Sequence, residues 1–184
     1  MERRLGDYEL LAPIGVGGMG RVWAARRRVL DGVSKTVALK IMHEGCASNE
    51  RRRRMFIEEA RLSSLLSHSN VVQVFDAGVI GERLVLVMEW VDGCSLDELL
   101  AGLRARGEPL EPIVAAYVIG ELLTALEYAH GLSHEGRTAE IIHRDISPHN
   151  VLISVSGEVK LTDFGVARLA GEETSGVHIK GKLR

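Results

Sequence analysis

The sequence predicts an α+β protein: a five-stranded antiparallel sheet with one main helix, followed by a mainly helical part. Three observations carry that prediction. Short β-type runs fill the chain up to Trp90, with a single helical pattern, Ser48 to Ser67, among them. A longer apolar stripe at helical spacing follows, from Pro112 to about His130. Beyond it, Val151-Leu152-Ile153 and Val159-Lys160-Leu161-Thr162 flank the turn signal Ser156-Gly157 and read as a tight hairpin.

The chain has 184 residues, enough for one domain or two small lobes sharing a cleft. Hydrophobic residues make up 46% and charged residues 26%, a soluble globular composition. A net charge of -2 argues against a general nucleic-acid binder. No run reads as long enough to span a bilayer, and Met1-Glu2-Arg3-Arg4 leads into no signal-type core. Cys46 and Cys94 make no disulfide framework, which fits a reducing, cytoplasmic setting.

Tyr8 to Pro13 reads as the first strand. Next comes Ile14-Gly15-Val16-Gly17-Gly18-Met19-Gly20-Arg21-Val22, a G-x-G-x-x-G pattern that a dinucleotide-binding loop would also show. There the glycines should open a helix. Here Val22-Trp23-Ala24-Ala25 favours a strand, hence a hairpin whose tip lies over a ligand. Glycines let backbone N–H groups come close to phosphate. Lys35 to Met42 is the third strand, and Lys40 inside it needs an anionic partner unless it snorkels from an edge.

Met55, Leu62, Leu65 and Leu66 give the Ser48 to Ser67 helix its stripe, with Glu58 and Glu59 between them. Arg51 to Arg54 is read as a solvated face, with an anion dock as the sharper alternative. Val71 to Val79 and Arg83 to Trp90 complete the sheet. Extended backbone at Glu89 and Val91 can offer C=O and N–H groups to a ligand edge. Ser95-Leu96-Asp97-Glu98 is a capping box for a short helix ending near Gly102. Pro112 suits a helix first turn and Gly131 a C-terminal cap. Ser133 to Glu140 reads as a polar loop.

Ile142-His143-Arg144-Asp145-Ile146-Ser147-Pro148-His149-Asn150 is too broken by polar residues and proline to be a helix, and Asp163-Phe164-Gly165 follows the hairpin. Asn150 enters the first hairpin strand and Asp163 leaves the second, so both side chains arrive at one end. Two oxygen ligands there suit a hard ion such as Mg²⁺ that keeps phosphate oxygens among its ligands. Asp145 is left to take a proton.

These letters match H-R-D-x-x-x-x-N and D-F-G, and the chain resembles the catalytic core of the protein kinases. The form H-R-D-I-S-P-H-N is similar to a bacterial, eukaryotic-like (Hanks-type) serine/threonine class. The resemblance implies an amino-terminal lobe over residues 1–88, a hinge over 89–93 and a partial carboxy-terminal lobe over 94–184. It implies ATP and Mg²⁺ as cofactors, with protein hydroxyls as acceptors of the γ-phosphate. It gives Lys40 the α/β-phosphates and a glutamate partner. A Phe-x-x-Glu-Ala pattern selects Glu59 for that role, with Glu58 as the fallback.

Under the same resemblance, the Ile14 to Val22 segment covers the triphosphate. Val22, Ala38 and Leu152 sandwich adenine, Met88 sets the pocket depth, and Glu89 and Val91 are the hinge contacts. Asp145 is the catalytic carboxylate, and Asn150 and Asp163 are the Mg²⁺ ligands. His143 and Phe164 link the lobes, and Arg144 faces a phosphorylated activation loop. Two departures stand out. Ser147 occupies the place where serine/threonine kinases carry lysine. No A-P-E segment follows Gly165, so an exposed patch is expected on the Pro112 helix. Thr174 and Ser175 are candidate phosphosites. The alternative to a kinase is a kinase-like module that binds nucleotide or a partner without transfer. A small-molecule phosphotransferase of related fold ranks behind both.

Overall fold

β-Branched and aliphatic residues alternating along four long strands give the amino-terminal sheet two apolar faces, and the chain curls that sheet over a single helix. The computed structural model describes residues 4–17, 20–30, 32–43, 49–134, 137–138, 141–164 and 168–169. The sheet comprises β1 (Arg4–Leu5), β2 (Tyr8–Val16), β3 (Gly20–Leu30), β4 (Val33–Met42), β5 (Val74–Ile80) and β6 (Arg83–Glu89), in the order β1-β2-β3-β4-β6-β5. Every neighbouring pair is antiparallel. The sheet therefore has six strands where five were expected. The addition is β1, two residues paired with Tyr8 and Glu9 and too short to show a period.

β2 also runs past Pro13 to Val16, with register shifts at Leu10/Ala12 and Pro13/Gly15. Pro13 is tolerated because β1 pairs only with Tyr8 and Glu9, leaving that edge of β2 without a ladder to interrupt. Gly20 is needed for another reason: a Cβ there would collide with the Ile41 carbonyl on β4.

Period-two alternation fixes which way β4 points. Val37, Leu39 and Ile41 join Tyr8, Ala25, Val85 and Val87 in one cluster. Ala38 and Met42 face the other way, with Leu86, Met88 and the helical Phe56 and Ala60. Lys40 shares that second face by parity. The helix is α1 (Glu50–Ser64), capped by the Asn49 side chain, which accepts the Arg52 N–H at 3.1 Å. It starts two residues later than expected.

β7 (Gly93–Ser95) leads into α2 (Leu96–Arg106) through the expected capping box, with Ser95 and Glu98 bonding reciprocally. α2 does not stop near Gly102. Space around Gly102 is open, and the helix continues to Gly107, whose φ of 70° supplies the left-handed cap. α3 (Pro112–His130) follows. One short pair, β8 (Ser133–His134) with β9 (Arg137–Thr138), occupies what was read as a loop.

β10 (Ile141–Ile142) precedes a 3₁₀ turn over Pro148–Asn150 and the hairpin β11 (Val151–Ser154) and β12 (Val159–Leu161). β13 (Arg168–Leu169) returns to pair with β10. β7 lies along β11 and can do so because residue 93 is glycine: a Cβ would strike the Ile153 carbonyl.

The second core joins Val118, Ala125 and Ala129 of α3 to Ile141, Val151, Val159, Leu161 and Phe164, and takes in Leu62 and Leu66 from the end of α1. The opposite face of α3 exposes Ile113, Tyr117, Ile119 and Leu123, whereas the patch was expected on the apolar stripe, whose Val118, Ala125 and Ala129 are buried. At 19 residues with mean hydropathy 1.3, α3 is long and apolar enough to cross a membrane by length and composition alone, which corrects the reading that no run was.

Candidate active site

Lys40 sits on the α1-facing side of β4, in a side-chain environment only 9% exposed. Its ammonium donates to Glu59 Oε1 at 2.5 Å and to Asp163 Oδ1 at 2.6 Å. Helical phase chooses between the two glutamates. Glu59 lies on the buried face with Phe56, Ala60 and Ser63, whereas Glu58 points outward to Arg61 at 3.3 Å. The three charges condition one another. Burial pushes the Lys40 ammonium down, but Asp163 and then Glu59 more than reverse this, and its pKa rises. Burial raises the Glu59 carboxyl to about 7, with Lys40 opposing and the second carboxylate, Asp163, adding to the rise. Partial desolvation would also raise Asp163, yet the Lys40 charge and hydrogen bond outweigh it and hold it below the usual range. Asp163 thus carries the firm negative charge. Glu59 Oε2 is buried with no hydrogen-bond partner among the described residues.

The catalytic-loop candidates meet the same end of the β11–β12 hairpin. Asn150 Nδ2 donates to the Asp145 carbonyl at 2.8 Å and lies 3.3 Å from Asp145 Oδ2. The Asn150 carbonyl accepts the Thr162 N–H at 2.9 Å, which ties the loop to the strand before Asp163. His143 is 1% exposed. Its Nδ1 accepts the Asp145 N–H at 3.3 Å, so Nε2 carries the proton and donates to the Thr162 carbonyl at 2.9 Å. Burial lowers its pKa, consistent with a neutral ring. Phe164 meets that ring edge-on, with centroids 4.5 Å apart, and is itself buried beside Leu62 and Leu66. Two non-glycine residues hold left-handed backbone here: Arg144 at φ 65° and Asp163 at φ 64°.

Beside this polar end lies an apolar cluster. Val22, Val91 and Leu152 pack, partly buried, against Ala38 and Met88 in one cluster. Val22, at the end of the glycine segment, belongs to this cluster. Gly17 donates to the Gly20 carbonyl at 2.9 Å, Ile14 and Val16 are exposed, and Arg21 lies 5.9 Å from the Trp23 ring. Because β3 begins at Gly20, the dinucleotide-loop alternative, which needs a helix there, is ruled out. Gly18, Met19, Gly165, Thr174 and Ser175 lie outside the described residues. One expected contact is corrected. The Glu89 N–H is already donated to the Gln73 carbonyl at 2.8 Å, so Glu89 can offer a ligand only its carbonyl.

Lys160 was missed by the sequence reading. It is buried on β12, 3.0 Å from Glu89 Oε1. The signal was available: like Lys40, it interrupts a buried apolar strand and needs a partner. A solvent cavity of about 600 Å³ lies behind it, lined by Lys35, His68, Phe75 and Trp90 among others, away from the apolar cluster.

An apolar cluster beside a paired ammonium, a carboxylate and an amide suits a flat ligand carrying a polyanionic tail. Asp163 and Asn150 also fit Mg²⁺. They are hard oxygen donors, only one Asp163 oxygen is taken by Lys40, and the Asp163 side chain is 47% exposed. Two protein ligands suit an ion that keeps water and phosphate oxygens.

The family model described as "Protein kinase domain" matches residues 8–183. The chain is 36% identical over 173 residues to serine/threonine-protein kinase PrkC of Bacillus subtilis, covering 94% of this chain and 24% of that protein. It is 38% identical over 174 residues to serine/threonine-protein kinase PkaA of Streptomyces coelicolor, covering 89% and 30% respectively. The chain thus spans less than a third of the length of these relatives. The crystal structure of the Mycobacterium tuberculosis PknI kinase domain superposes with a TM-score of 0.67 at 26% identity, over 89% of this chain and 61% of that one.

Proposed function

Because the chain belongs to the protein kinase family, we propose that it transfers the γ-phosphate of ATP to serine or threonine hydroxyls of proteins. The observation that carries the reading is the convergence of Lys40, Glu59 and Asp163 beside the Asp145–Asn150 pair. Phosphoryl transfer asks a protein mainly for positioning and charge neutralisation. Val22, Ala38, Val91 and Leu152 would hold the adenine ring, with Met88 setting the depth of the site. Lys40 would hold the α- and β-phosphates once they compete with Asp163 for its ammonium. Glu59 keeps that ammonium aimed into the cleft. Mg²⁺, when bound through Asp163 and Asn150, supplies neutralisation of the phosphate charge.

Asp145 would accept the proton of the attacking hydroxyl. It is exposed, as a group that must meet an acceptor has to be. The Asn150 amide fixes it from one side, and neutral His143 fixes its backbone from the other. The acceptor proteins are not identified by anything in the cleft. Transfer of label from ATP to a generic protein substrate in the presence of Mg²⁺ tests the reading. It should occur with the unaltered chain and vanish in Asp145→Asn and Lys40→Met. A second reading, a nucleotide-binding module without transfer, is favoured by Ser147, which puts a hydroxyl where a cation would meet the γ-phosphate. Under it, Mg²⁺-ATP raises the melting temperature while no label moves.

A further inference from the structure

We propose that Lys160 is a positioning residue that registers the hinge against the strand leading to Asp163, and so tunes recognition of the adenine base separately from the triphosphate. This inference rests on the nucleotide reading above. Lys160 is 7% exposed, and its ammonium donates to the Ser69 carbonyl at 2.9 Å as well as pairing with Glu89 Oε1 at 3.0 Å. Glu89 is the residue at which β6 becomes the hinge. Its other carboxylate oxygen accepts the Gln73 N–H at 3.2 Å, and its own N–H goes to the Gln73 carbonyl at 2.8 Å. The side chain that directs the hinge carbonyl is therefore gripped from two directions, by Gln73 and by Lys160.

The segment before β5 is stitched to β12 by further bonds. Asn70 Nδ2 donates to the Val159 carbonyl at 3.0 Å and Leu161 N–H to the Asn70 carbonyl at 2.8 Å. Val72 N–H donates to the Leu161 carbonyl at 2.9 Å. Lys160 also sits opposite Leu152 in the ladder, so this member of the apolar cluster belongs to the same piece. One hydrogen-bonded unit thus runs from the base-facing hinge to the strand that delivers Asp163.

A buried ion pair gains little stability over a well-packed apolar pair of the same size, so fold stability alone is a weak reason for this one. Its geometry gives a better reason. Behind Glu89 lies the cavity of about 600 Å³. Without Lys160, the carboxylate has open space to turn into, and the hinge carbonyl loses its aim. Among the described residues, the hydrogen bonds of Lys40, which would hold the phosphates, run to Glu59 and Asp163 and not to this pair.

The test compares Mg²⁺-ATP with Mg²⁺-tripolyphosphate, measured by calorimetry on the whole chain. Lys160→Met should weaken ATP binding about tenfold and tripolyphosphate binding less than about twofold. Lys160→Arg, which keeps the charge, should recover most of the ATP affinity. The double variant Glu89→Leu/Lys160→Met should regain melting temperature but not ATP affinity, an outcome a merely structural role does not produce. Should Lys160→Met fail to fold, Glu89→Gln carries the same comparison at nearly constant volume. Equal weakening of both ligands, or no change in either, overturns the inference while leaving nucleotide binding intact. Failure of the unaltered chain to bind ATP at all overturns the nucleotide reading, and this inference with it.

Discussion

Asn150 Nδ2 donates to the backbone carbonyl of Asp145 at 2.8 Å while standing 3.3 Å from Oδ2 of the same residue. The amide that would offer its oxygen to Mg²⁺ is therefore also the clamp on the carboxylate that would take the proton. Removing either should damage one shared arrangement. Asn150→Ala is expected to lower transfer by about a hundredfold or more, and Asp145→Asn by at least as much. The double variant should fall within about threefold of the worse single. Initial rates with labelled ATP check this, and fully multiplicative losses would mean the two residues act separately.

Lys40 pairs with two carboxylates, the buried Glu59 and the half-exposed Asp163. Lys40→Met removes the charge that opposes burial at Glu59, so the variant should lose stability, more so as pH rises and Glu59 must give up its proton in a buried site. Lys40→Met/Glu59→Gln should be more stable than Lys40→Met alone, although both should be inactive. Urea titrations of the two variants decide it.

The same carboxylate gives a pH signature. Glu59 is raised from 4.5 to about 7 by burial, with Lys40 opposing and Asp163 adding. Its contribution to stability is fully present below pH 4.5 and is lost as pH rises through about 7. His143 runs the other way: burial lowers it from 6.5, so its contribution is present above pH 6.5 and lost as pH falls through the lowered value. Asp163 is held below 3.8 and stays out of this window. Glu59→Gln removes the first effect and leaves the second. The stability of the native chain relative to Glu59→Gln should therefore shrink from pH 4.5 to pH 7. A melting-temperature difference that stays flat over that range would count against the raised value.

Gly20 faces the Ile41 backbone too closely for a Cβ, whereas Gly17 has ordinary contact distances. Gly20→Ala should cost about 1–3 kcal/mol by forcing β3 away from β4, and Gly17→Ala well under that. Denaturant midpoints of the two variants distinguish a glycine kept for packing from one kept for a ligand.

Much of this arrangement was legible in the letters. Lys40 announces itself as a charge inside an apolar strand, and Asp145, Asn150 and Asp163 by their spacing around a hairpin. Glu59 over Glu58 follows from helical phase once the strand face is known. What escaped detection depends on neighbours distant in the chain. β1 has two residues and no period, and exists because β2 offers it an edge. Gly102 looked like a stop, but a glycine in open space merely weakens a helix, and the left-handed cap fell at Gly107. Lys160 obeyed the rule applied to Lys40, yet its partners lie 71 and 91 positions away in the chain, at Glu89 and Ser69.

The left-handed backbone of Asp163 has one more consequence. An L-residue at φ 64° sits uphill of its preferred basin by about 1 kcal/mol, so the segment is under tension and is kept in place by the Lys40 ammonium and the seating of Phe164. Loss of either hold should let the Asp163 backbone relax toward a commoner φ and shift its carboxylate. Asp163→Gly would relieve the left-handed strain but also remove the carboxylate, so it should lose both the metal ligand and a partner of Lys40.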